Sequence, residues 1–156
     1  SFDVVLSSLV FHYIADFDSL CQTISQVLVP GGDFVFSCEH PIFTAYGTQD
    51  WYYDEQGQIL HWPVDRYFDQ GARNARFLGE EVVKYHRTLT GYIAPLFASG
   101  FTLAALVEPQ PDETMLDSVP ADDAPAGRKK EPLILNELPP SAARAVKRGT
   151  DGKDRT

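Results

Sequence analysis

The stretch from Phe2 to His40 constrains this chain more than any other. It reads strand, loop, helix, Pro-Gly-Gly, strand. Val4, Val5 and Leu6 form a short continuous apolar run, the pattern of a parallel strand covered on both faces. Ser7 and Ser8 follow as its small polar exit. Asp16 or Asp18 can cap a helix on which Leu20, Ile24, Val27 and Leu28 share one face. Pro30-Gly31-Gly32 is expected to end that helix. Phe34-Val35-Phe36 then reads as a second buried strand. A strand, a crossover helix and a second strand of this length make a βαβ unit, which sets the class as α/β with a parallel sheet.

The bulk numbers agree with one domain: 156 residues, 44% of them hydrophobic, are enough for a sizeable core. No run approaches the roughly 20 apolar residues of a membrane span, and no signal peptide precedes the first strand. Cys21 and Cys38 stand alone on a predicted helix and strand and read as reduced, buried thiols of a cytoplasmic protein. The net charge is −9, and it is uneven: residues 1–65 hold no Lys or Arg against nine acidic residues. That part offers a nucleic-acid backbone or an anionic membrane little to hold. It would not repel a cation.

Residues 43–77 hold nine of the nineteen aromatics, and Trp51-Tyr52-Tyr53, the turn Asp54–Gly57 and Ile59–Trp62 read as a hairpin. Such a segment is either a lid over a ligand or an element packed on the core. Val82–Tyr85 reads as a short strand. Thr88 or Thr90 can cap a following helix carrying Ile93, Leu96 and Phe97; Pro95 should kink or shorten it, and Gly100 should stop it. Residues 110–130 read as a surface loop, and residues 139–156 as a disordered tail poor in large apolar side chains.

The runs FDVVLSSLVFHYIADFDSL and LVPGGDFVFSCEHPIF, with WPVDRYF, VVKYHRT, Gly100-Phe101 and EPLIL in that order, resemble class I S-adenosylmethionine-dependent methyltransferases of the type 11 kind. The similarity covers roughly residues 1–138. It implies a Rossmann-like sheet of strand order 3-2-1-4-5-7-6, of which this chain carries strands 4 (Val4–Leu6), 5 (Phe34–Phe36), 6 (Thr102–Val107) and 7 (Leu133–Leu135) with flanking helices. On that expectation residues 1–138 are the C-terminal part of a methyltransferase domain, and residues 43–80 are a lid-like aromatic hairpin insertion. Strand 4 would then be a bare apolar edge, covered by a missing N-terminal half or by a second chain. The family's glycine-rich cofactor loop and the acidic residue that ends its second strand are not in this sequence.

Open α/β sheets bind ligands beyond the carboxyl ends of their strands, at the switch point. The resemblance implies that Ser7, Ser8 and Leu9, at the exit of strand 4, line an S-adenosylmethionine site, with His12 either nearby or tying down the loop. His40, just past strand 5, and His86 are candidate general bases, and Arg87 is a candidate anion clamp. Trp51, Tyr52, Trp62 and Tyr67 are candidates to close over a small-molecule methyl acceptor. The four histidines show no H-x₃-H or HExxH spacing, so no metal is expected. No GxSxG elbow or GxxxxGK[ST] loop is present. Two other readings stay open: a non-catalytic remnant or assembly domain pairing through its exposed strand, and another doubly wound enzyme with a different cofactor.

Overall fold

The structure, a computed structural model, describes residues 1–45, 51–77, 79–108 and 141–148. A four-stranded sheet is built from β1 (Phe2–Ser8), β2 (Leu28–Cys38), β7 (Phe101–Val107) and β8 (Ser141–Lys147), in the order β1-β2-β8-β7. β1 and β2 are parallel, and β8 runs antiparallel to both of its neighbours. This is the mixed 4-5-7-6 arrangement of the methyltransferase-like α/β fold. Helices α1 (Phe17–Val27) and α3 (Leu89–Ala98) pack with it, joined by a short α2 (Pro41–Ala45). Two hairpins, β3 (Tyr52–Tyr53) with β4 (Ile59–His61) and β5 (Gly71–Phe77) with β6 (Glu80–His86), lie between β2 and α3 in the chain.

Asp16, not Asp18, caps α1: its carboxylate accepts the Ser19 N–H at 2.9 Å and the Ser19 hydroxyl at 2.7 Å. The buried stripe is Phe17, Cys21 and Ile24, one position round from the one expected. Leu20 is partly buried and Val27 exposed. The helix also ends earlier than Pro30. Leu28 is already extended (φ −80°, ψ 142°), and Pro30-Gly31-Gly32 lies inside β2. Phe2 is opposite Leu28 but Val4 is opposite Asp33, so β2 carries surplus residues there as a bulge. Gly31 takes φ +83°, and a Cβ on Gly32 would sit 3.0 Å from the Asp3 carbonyl oxygen. The two glycines therefore fold a bulge against β1 instead of stopping a helix.

Phe34, Phe36 and Cys38 alternate inward along β2 and meet Phe11, Phe17, Tyr92, Leu96 and Phe101 in one core. Ring centroids 4.9 to 5.7 Å apart link Phe36, Phe34, Phe11, Phe17 and Phe101. Burial pushes the Cys21 and Cys38 thiols up to about 12, so both are inert packing groups. β1 departs from expectation. Only Val5 and Ser7 turn towards the core, while Phe2, Val4 and Leu6 are exposed, Leu6 by 74%. Among the described residues β1 has a neighbour on one side only. α3 runs past Pro95 to Ala98, so the proline does not shorten it; Thr88 caps it by accepting the Gly91 N–H at 3.0 Å.

The last strand is the largest correction. The expected seventh strand, Leu133–Leu135, lies outside the described residues, as does the 110–130 loop. Its place between β2 and β7 is taken by Ser141–Lys147, within the stretch expected to be a disordered tail. Ala143 and Ala145 face inward opposite Phe36 and Phe34, where large β2 rings leave room only for small partners. The basic residues tie the strand down. Arg144 Nε and Nη2 each donate to the Asp33 carboxylate at 3.0 Å. Lys147 Nζ donates to the Ser25 and Leu28 carbonyls, at 2.6 and 2.7 Å, and so closes the end of α1.

Ala145→Asp should therefore cost on the order of 3 kcal/mol or more, because it buries an unpaired carboxylate between two strands. Urea unfolding followed by circular dichroism reads this as a lower midpoint. An unchanged midpoint would return these residues to a tail.

Candidate functional site

The carboxyl ends of β1 and β2 lie side by side. Ser8 faces Ser37 across the parallel pair, and their hydroxyls are 3.2 Å apart. Leu9 then donates its N–H to the Ser37 carbonyl at 2.9 Å while its own backbone takes φ 55°. A leucine in the left-handed region costs about 1 kcal/mol or more, so the turn off the sheet is held by its surroundings. Beyond it, a 3₁₀ turn over Phe11–Tyr13 buries Phe11 and His12. Ser7, Ser8 and Leu9 thus form a ledge of small or turned residues at the strand ends.

Arg87 holds the loop that follows that ledge. Its guanidinium donates to the Phe11 carbonyl at 3.3 Å, to the Ala15 carbonyl at 2.7 Å, to the Ile14 carbonyl and to Tyr85 O at 3.4 Å. It also stands 5.4 and 5.8 Å from the Phe17 and Tyr92 rings. The expected anion clamp is therefore corrected: the donors of a buried Arg87 are spent on the loop between β1 and α1.

The two candidate bases are corrected as well. His86 is fully buried; its Nε2 lies 2.8 Å from the Tyr67 carbonyl and its Nδ1 2.8 Å from Thr44 Oγ1. A carbonyl only accepts, so Nε2 carries the hydrogen and Nδ1 accepts the threonine hydroxyl. Burial holds this imidazole below its ordinary 6.5, and both ring nitrogens are bonded within the protein. His40 accepts the Ile42 N–H at Nδ1 (3.1 Å) and donates from Nε2 to Glu108 at 2.5 Å. Glu108 follows the last residue of β7, so the ring spans across β8, away from β1. Both His40 nitrogens are thus bonded within the protein.

His12 is also buried, and it ties down the loop. Its Nδ1 accepts the Glu39 N–H at 3.4 Å, and its Nε2 lies 3.9 Å from Glu39 Oε1. Burial, the largest influence, keeps it below 6.5 against the pull of Glu39. Tyr67 is likewise spent on the framework: its hydroxyl accepts the Leu89 N–H in the first turn of α3 at 3.1 Å. Trp51 and Trp62 do come together, edge to face at 5.3 Å, and Trp62 stacks on Phe43 at 4.8 Å. Tyr52 stays outside, stacked on His61.

Sequence reasoning passed over Glu39 and Lys84, which meet at 2.6 Å just past the end of β2. The signal was there. Val82, Lys84 and His86 share one face of β6, and that face turns inward. A groove of about 620 Å³ opens between the start of α1 and the length of α3, lined by two of the predicted site residues, His86 and Arg87, with Asp18, Gln70, Thr90 and Ala98 among others. None of Ser7, Ser8, Leu9 or Glu39 lines it. The ledge is preferred as the functional end because it stands at the carboxyl termini of parallel strands, where such sheets bind ligands.

A family profile described as a methyltransferase domain matches residues 1–36. Among solved structures, a Listeria monocytogenes protein described as a candidate S-adenosylmethionine dependent methyltransferase is 44% identical, with a TM-score of 0.76 over 96% of this chain and 62% of its own. A Mesorhizobium loti S-adenosylmethionine dependent methyltransferase is 35% identical, with a TM-score of 0.73 over 94% of this chain and 63% of its own. Residues 1–36 thus match a methyltransferase-domain profile, and the chain as a whole is similar to proteins described as S-adenosylmethionine dependent methyltransferases. An uncharacterized protein of Haemophilus influenzae is 34% identical over 109 residues, which are 69% of this chain and 43% of that protein. The chain thus spans less than two thirds of the length of each of these relatives. No helix among the described residues is long and apolar enough to cross a membrane.

The two buried histidines give the chain a defined acid response. Both native imidazoles sit below 6.5, so the unfolded chain takes up protons first, and stability falls as the pH drops below about 6.5. The slope is at most about 1.4 kcal/mol per pH unit for each histidine. Urea midpoints between pH 8 and pH 5 should decline more shallowly in His86→Gln than in the parent chain. Equal slopes would mean that His86 titrates as it does in water.

Proposed function

We propose that the chain supplies the acceptor-facing portion of an S-adenosylmethionine-dependent methyl transfer to a small molecule. One observation carries this: the ledge of Ser7, Ser8 and Leu9 at the ends of two parallel strands, in a chain 44% and 35% identical to proteins of that description. The ledge suits the donor chemically. Its side chains are small or turned aside, and the segment around it, residues 1–65, has no Lys or Arg to oppose a sulfonium. S-adenosylmethionine, when bound, supplies an electrophilic methyl group.

Ser7, Ser8 and Leu9 would border the donor, and the backbone turn at Leu9 lets the ligand approach the sheet end closely. Trp51, Trp62 and Phe43 form the aromatic wall against which a flat acceptor is aligned; on this reading the β3–β4 hairpin closes over it and keeps water out. In-line methyl displacement needs little more from a protein than such alignment. His12, Tyr67, His86 and Arg87 act as positioning residues. A proton released by the acceptor leaves to a group other than His40 or His86 as they are bonded here.

Among the described residues β1 is paired on one side only, which supports a further strand beside it, and Phe2, Val4 and Leu6, uncovered on one face, support a further layer over it, from more of the same protein or from a second chain. The unpaired edge also supports a second reading, a non-catalytic assembly domain that pairs through it. Calorimetric titration of S-adenosylmethionine separates the two. A form extended at its amino-terminal side should bind at least about tenfold more tightly, a difference of about 1.4 kcal/mol, than residues 1–156. Binding by neither form would favour the assembly reading and overturn the catalytic one.

A further inference from the structure

The groove between the start of α1 and the length of α3 plays no part in the proposed methyl transfer. Its volume, about 620 Å³, falls within the range of about 300 to 1,000 Å³ that small-molecule sites occupy. None of Ser7, Ser8 and Leu9 lines it, so what it binds is independent of the methyl-transfer reading. Its polar lining is not consumed by the fold. Among the described residues the Asp18 carboxylate, the Tyr85 hydroxyl and the Thr90 hydroxyl, all at the groove, have neither a hydrogen-bond nor an ion-pair partner.

Gln70 is oriented there by the backbone of α3. Its Oε1 accepts the Thr88 N–H at 3.3 Å, which leaves the amide nitrogen, with two hydrogens to donate, as its remaining polar group. Gly91 makes room for this, since a Cβ at that position would overlap Gln70 Oε1. The side chain therefore lies against bare helix backbone before any ligand arrives, and less ordering is left for binding to impose.

The charges of the lining decide the class of ligand. Asp18 supplies a negative one. Arg87, which also lines the groove, supplies a positive one, because its guanidinium bonds backbone carbonyls and forms no ion pair among the described residues. A cation and an anion are each opposed by one of the two, and a neutral ligand by neither. A carboxylate has two acceptor oxygens and no donor, so it matches two neighbouring hydroxyls; the Gln70 amide donates to a further oxygen, and the Tyr85 and Thr90 hydroxyls can donate or accept. Ala94 and Ala98 of α3 offer an apolar surface to the C–H face of a ring. We infer that the groove is a binding site for a neutral polyhydroxylated ligand, a sugar or cyclic polyol, with Asp18 accepting from a pair of adjacent hydroxyls and Gln70 donating to the ligand.

The test titrates glucose, glucosamine and glucuronate into the full chain at neutral pH, one ring with no charge, a positive and a negative one, and follows the backbone amides by NMR. Glucose should shift the amides at residues 18, 70–71, 85 and 90–91 and saturate at millimolar concentration, and the two charged rings should bind severalfold more weakly. Asp18→Ala, a change at an exposed position, should weaken glucose by about tenfold or more, the loss expected of hydrogen bonds to a charged group. Gly91→Ala should keep the helix, in which alanine is the better former, and weaken glucose comparably by pushing Gln70 aside. Urea midpoints near that of the parent chain show that both variants are folded. No glucose binding at millimolar concentration, shifts that fall outside the groove, equal or tighter binding of either charged ring, or glucose binding unchanged in either variant would overturn the site.

Discussion

The Arg87 guanidinium is the interaction on which the working end of this molecule depends. The loop from Phe11 to Ala15 must leave the sheet at Leu9, cross the top of β2 and start α1 within a few residues. Its carbonyls at positions 11, 14 and 15 turn inward, where each would be costly without a donor. One planar guanidinium meets all three and stacks on Phe17 and Tyr92 beneath them. A lysine could not reproduce that fork of donors. The loop that follows the left-handed turn at Leu9 is thus tied to the residue just after β6, outside the four-stranded sheet.

The same logic recurs around the core. His86 joins α2 to the segment before β5, Lys84 joins β6 to the end of β2, and Lys147 joins β8 to the end of α1. Basic side chains that a surface-minded reading gives to solvent or ligand are here the ties between layers. Each has its donors matched by carbonyls or a carboxylate, the condition under which buried charge is tolerated. What remains for a ligand at the strand ends is correspondingly small: the Ser7–Leu9 ledge and the aromatic cluster of Phe43, Trp51 and Trp62.

The β1–α1–β2 unit was legible because large apolar residues mark its periodicity, and the resemblance supplied the strand order. β8 was not legible. Ala143 and Ala145 are buried because Phe34 and Phe36 opposite them are large, and alanines flanked by basic residues carry almost no hydropathy signal of their own. Pro30-Gly31-Gly32 misled for a related reason, since a helix stop and a bulge within a strand ask for the same residues. At the site, the strand-end serines were placed by topology and the resemblance and His40 by its position past the second strand, whereas His86 and Arg87 were assigned to chemistry from residue type. The inward alternation Val82, Lys84, His86 along β6 would have placed Lys84 and His86 in the interior.

Backbone hydrogen exchange in Arg87→Met tests the central claim most directly. With the guanidinium gone, the amides from Leu9 to Ile14 should exchange much faster, while those of β2 and β8 keep their protection. Unchanged exchange at residues 9–14, or an equal acceleration over the whole sheet, would show that Arg87 is not what holds the loop after the ledge.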